Sequence, residues 1–111
     1  MSDEVLVSLM EAQLKKASNI VRDMARMTGV GYAIWPTARA IMEQFHVDRV
    51  DLAEYLASCE VKESWSMLGG ISRYLVESND PDEQIASVTV SVHQDVMTIE
   101  VVTLKIKEVR K

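Results

Sequence analysis

The period of the hydrophobic residues changes once along this chain, at Ser78-Asn79-Asp80-Pro81-Asp82, and that change limits what it can fold into. Ahead of this turn-forming run, apolar residues recur at helical spacing. After it, from Ile85 to Val109, they alternate with polar ones as in strands. The pattern predicts a single α+β domain over residues 1–111, with a helical part over 3–78 and a hairpin over 85–109. A long N-terminal helix and two or three shorter helices would pack against a C-terminal antiparallel β-hairpin.

Asp3–Thr28 reads as one amphipathic helix. Leu6, Met10, Leu14, Ala17, Val21 and Met24 recur every three or four residues and share a stripe, which Val5, Leu9 and Ile20 widen. Asp3 and Glu4 suit the positive end of the helix dipole, Arg22 and Arg26 the negative end, and Gly29 is a stop signal. At ~1.5 Å per residue the helix is about 40 Å long, more than a core built from the rest of the chain can cover. Part of the stripe is therefore expected to face a partner, such as a second copy.

Gly29 to Pro36 reads as a loop or short extended piece. Its Tyr32 and Trp35 either pin it to the core or serve as binding anchors. Thr37–Phe45 reads as a short helix, and Asp48 as the cap of another over Arg49–Ser58. Val61–Val76 reads as a further helix with Val61, Trp65, Leu68, Ile71 and Leu75 on one stripe. Gly69-Gly70 would weaken its middle by about 1 kcal/mol each, which suggests a kink or a close helix crossing. In the hairpin, Ala86, Val88, Val90 and Val92 alternate with polar residues, and so do Met97, Ile99 and Val101. The phase then slips to Val102, Leu104 and Ile106. Either a β-bulge sits near Val101-Val102 or the end of this strand packs on something different.

Composition removes several classes of function. The net charge is −5, and residues 1–84 hold 8 Lys or Arg against 14 Asp or Glu. Nucleic-acid binding, which relies on neutralising phosphates, is disfavoured. No apolar run approaches the ~20 residues of a membrane span, and Met1-Ser2-Asp3-Glu4 lacks the layout of a secretion signal. The single Cys59 makes no internal disulfide, so a cytoplasmic location is expected. His46 and His93 sit in different elements without convergent ligands, and Cys59 lacks a local base. No metal, cofactor or catalytic residue is expected.

Asp51 to Ala57 followed by Cys59-Glu60-Val61-Lys62 looks like the helix and turn of a helix-turn-helix. Three helices and then a hairpin, over about residues 37–109, resemble a winged-helix domain. That resemblance implies DNA binding, with Lys62 and Arg73 on a recognition helix and Lys105 and Lys107 near phosphate. The same helix otherwise offers Glu63, Ser64, Ser66, Met67 and Ser72, few of which are base-reading types.

The leading expectation is a small intracellular, non-enzymatic interaction or regulatory protein acting by protein–protein binding as a homodimer, a homo-oligomer whose surface can also meet another protein. Its interface would draw on Leu6, Met10, Leu14, Val21, Met24, Tyr32, Trp35, Val102, Leu104 and Ile106. The strand Val102–Ile106 would extend a sheet across the boundary. A winged-helix-like regulator is the alternative.

Overall fold

Hydrophobic positions that face one another across the chain build a five-stranded sheet with three helices against it. The structure is a computed structural model that describes the backbone of residues 3–107 and the side chains of residues 7–107. In chain order the elements are α1 (Asp3–Arg26), β1 (Gly31–Ile34), α2 (Pro36–Gln44), α3 (Arg49–Leu56), β2 (Glu60–Ser66), β3 (Ser72–Glu77), β4 (Ile85–His93), a 3₁₀ turn (Gln94–Val96) and β5 (Thr98–Ile106). The strands lie in the order β1-β5-β4-β3-β2. β1 runs parallel to β5, and every other pair is antiparallel. No helix among the described residues is long and apolar enough to cross a membrane.

Each element follows from local chemistry. α2 opens on Pro36, whose fixed φ suits a first helical turn. α3 opens on a capping box in which Asp48 accepts the Asp51 backbone N–H and Asp51 accepts that of Asp48, at 2.8 and 3.1 Å. The helices bury Ala17, Val21, Met24, Ala38, Met42, Leu52, Tyr55 and Leu56. The sheet answers with Val61, Val76, Ile85, Val88, Val90, Ile99, Val101 and Leu104 in the same core. The Tyr55 hydroxyl reaches the Ala86 carbonyl at 3.3 Å, tying α3 to β4.

The expected fold class is corrected here. Val61–Val76 is a β-hairpin, β2 and β3, and the C-terminal strands are two members of a mixed sheet. The spacing of Val61, Trp65, Leu68, Ile71 and Leu75 fits a helix by coincidence. Val61 and Val76 face the core, Trp65 and Leu75 face the opposite side of the sheet, and Leu68 sits at the hairpin tip, 99% exposed. Gly69 and Gly70 take φ of +85° and +77°, conformations that side chains resist, so they turn the chain and do not kink a helix. Gly31–Ile34, read as loop or extended, is strand β1.

The phase slip in β5 is a bulge. Thr89 pairs with Thr103 and Val90 with Val101, which leaves Val102 as the extra residue and lets both Val101 and Leu104 face the core. The side chains of Val5 and Leu6, the strand end at 108–109 and the basic tail Arg110-Lys111 lie outside the described residues.

Candidate interaction site on the helix-free sheet face

All three helices contribute to the core on one side of the sheet. Residues paired directly across neighbouring strands point to the same side, so the register defines what the other side carries. One row crosses all five strands: Ala33, Glu100, Ser91, Arg73 and Trp65. The next row holds Thr103, Thr89, Leu75 and Glu63. Beyond it, Lys105 pairs with Ser87, and Glu77 falls level with them one step past the Val76–Val88 pair.

Trp35 leans over the first row from the end of β1. Its backbone N–H donates to the Val101 carbonyl at 2.9 Å, and its indole N–H donates to Glu100 Oε2 at 2.7 Å. The other Glu100 oxygen meets His93 Nε2 at 3.2 Å. The Arg73 guanidinium lies 5.4 Å from the Trp35 ring centroid, a cation–π geometry. The indole hydrogen bond, helped by His93 and Arg73 against an opposing desolvation, holds the Glu100 carboxyl below the usual carboxylate range. Ser91, between Glu100 and Arg73, is fully buried. Its Oγ and Arg73 Nε find no hydrogen-bond partner among the described residues. Trp35 and Trp65 remain 39% and 42% exposed.

The expected interface residues do not share one surface. Val21, Met24 and Leu104 belong to the core, and Leu14, Tyr32 and Ile106 are half-buried against it. β1 pairs with β5 over Thr98–Val101, and Thr37 of α2 donates to the Val102 carbonyl at 3.3 Å. β5 therefore has a neighbour on either side over Thr98–Val102, whereas Thr103–Ile106, the greater part of the stretch expected to extend a sheet, pairs only with β4 among the described residues. Met10 is 55% exposed, with Val7 and Leu9 beside it in the first turns of α1. Of the expected set, Trp35 reaches the helix-free face.

The four cations assigned through the winged-helix resemblance do not form one strip. Lys62 sits at a bulge in β2 and pairs with Glu60 at 3.1 Å, and Arg73 stacks on Trp35. Lys105 is exposed on the outer face, and Lys107 donates to the carbonyls of Asp80 and Pro81. With β2 and β3 in place of a helix over 61–76, the chain has no recognition helix there, and the resemblance fails at that point.

Sequence reasoning missed Glu100 and Ser91, and it left His93 in a turn without a role. Ser91 and Glu100 occupy the polar positions of alternating strands, which carry no local signal of a site. Nothing in the sequence signals that residues 35 and 100 are neighbours. The Cys59 thiol is buried, donates to the Leu56 carbonyl, and is pushed up to about 11 by burial. No group of three or more His, Cys, Asp or Glu able to hold a metal ion occurs among the described residues.

Comparisons with protein-family models, curated proteins and solved structures found no match.

Proposed function

We propose that this protein works by binding, as a homodimer, and not by catalysis. The observation that carries the reading is the sheet itself: helices cover one side, and the other side displays Trp35 and Trp65, with Arg73 and Glu100 both in contact with Trp35. Tryptophan and arginine are the residues most enriched where a few side chains dominate binding energy. Here Trp35 is hydrogen-bonded to Glu100 and carries the Arg73 guanidinium over its ring before any partner arrives, which lowers the ordering cost of association.

The exposed Val7, Leu9 and Met10 on α1 add a second apolar surface that a further protein partner can use. A cytoplasmic location belongs to the same proposal and is supported by Cys59, a single free thiol buried in the core. Solution mass by light scattering tests the reading. A species of about twice 12.5 kDa at high protein concentration supports it, and the monomer mass at every concentration rejects it.

A further inference from the structure

We propose that the helix-free sheet face pairs with the same face of a second copy about a two-fold axis running along β4. This inference rests on the homodimer reading and assigns the surface that the reading leaves open.

An isologous dimer needs a patch that is complementary to itself under a half-turn. β4 is the middle strand of the five, so an axis along it, lying between two facing sheets, carries β5 over β3 and β1 over β2. Positions along the strands are preserved, and each row meets its own reverse. In the row Ala33–Glu100–Ser91–Arg73–Trp65, Glu100 then faces Arg73 of the copy, and the small Ala33 faces the large Trp65. In the row of Lys105 and Ser87, Lys105 faces Glu77. In the row between them, Thr103 faces Leu75. Every charge of β5 on this face thus meets the opposite charge of β3, and Trp65 meets the small Ala33.

An in-plane axis across the strands at the level of Thr89 fails. It sets Glu63 against its own copy, because Glu63 lies in the Thr89 row. Like charges brought face to face oppose association and exclude wrong registers.

The size of the face agrees. Five strands of 4, 7, 6, 9 and 9 residues, at ~3.3 Å per residue and ~4.8 Å apart, give on the order of 550 Å² per partner before side-chain relief. A standard specific complex buries ~800 Å² per partner. Face-to-face sheets pack ~10 Å apart with their strands within ~30° of each other.

The test uses Lys105→Glu and Glu77→Lys, two positions outside the Trp35–Glu100 cluster. In each variant alone, the homodimer carries two like-charge contacts. In a 1:1 mixture, the heterodimer restores opposite charges at both. By analytical ultracentrifugation at a concentration where the wild type is dimeric, each variant is expected to dissociate, with Kd raised at least ten-fold. The mixture is expected to return to the dimer mass. Circular dichroism checks that both variants are folded.

Variants as dimeric as the wild type overturn this inference and leave the homodimer reading standing, and so does a dimer broken by Met10→Glu but not by these changes. Two dissociated variants whose mixture stays dissociated also overturn it, because an axis across the strands predicts no rescue. A monomeric wild type overturns both readings.

Discussion

The hydroxyl of Ser18, midway along α1, accepts the backbone N–H of Val61 at the start of β2 at 2.8 Å and donates to the Leu14 carbonyl at 2.8 Å. β2 is an edge strand, and α1 closes the first part of its open edge through this one side chain. Arg22 continues the seam by donating from Nε to the Cys59 carbonyl at 2.6 Å. Ser18→Ala leaves a buried N–H without a partner, which costs about 1–3 kcal/mol. Urea denaturation of the variant is expected to show that loss with an unchanged slope.

Leu104 separates the sequence reading from the fold. As an interface residue, its truncation would weaken association and spare the monomer. As a residue only 2% exposed in the core, its replacement by alanine opens a cavity and costs about 2–5 kcal/mol. The midpoint of urea unfolding is expected to fall accordingly. An unchanged midpoint would return Leu104 to the surface.

Glu100 makes stability depend on acid in a way that Trp35 controls. Its folded pKa is depressed, so the ionised carboxylate contributes stability fully above the unfolded value of about 4.3. That contribution is lost as pH falls through the lower folded value. Trp35→Phe removes the indole donor, the largest cause of the depression. The drop in unfolding free energy between pH 7 and pH 3 is expected to be smaller in this variant than in the wild type. Equal drops would show that the hydrogen bond does not hold the carboxylate.

Cys59 is expected to be inert while the chain is folded. Burial raises its pKa to about 11, so little thiolate forms at neutral pH, and the side chain is fully covered. Labelling by a disulfide reagent at pH 8 is expected to be slow in buffer and fast in urea. Equally fast labelling in both would place the thiol at the surface.

Much of the fold was legible where one local signal decided it. The stripe on α1, the Asp48 cap of α3 and the alternation in β4 and β5 each lie within a single element. The bulge at Val102 was visible as a phase slip, though a slip alone does not distinguish a bulge from a second packing surface. Val61–Val76 carries a misleading period, because Val61, Trp65, Leu68, Ile71 and Leu75 recur at helical spacing in a stretch that forms two strands. The contrary signal was Gly69-Gly70 between runs holding Val61, Trp65, Tyr74 and Val76, the composition of a hairpin.

What the sequence determined by itself is local: where helices and strands can begin and end, and which side of each is apolar, because backbone sterics and side-chain period act over a few residues. What only the tertiary structure decided is adjacency. The parallel pairing of β1 with β5 brings Trp35 to Glu100 across 65 positions of chain, and the order of the strands sets Arg73 and Ser91 beside them. A row across a sheet is made of residues far apart in sequence. The charge pattern of the helix-free face therefore exists only after the strands have paired.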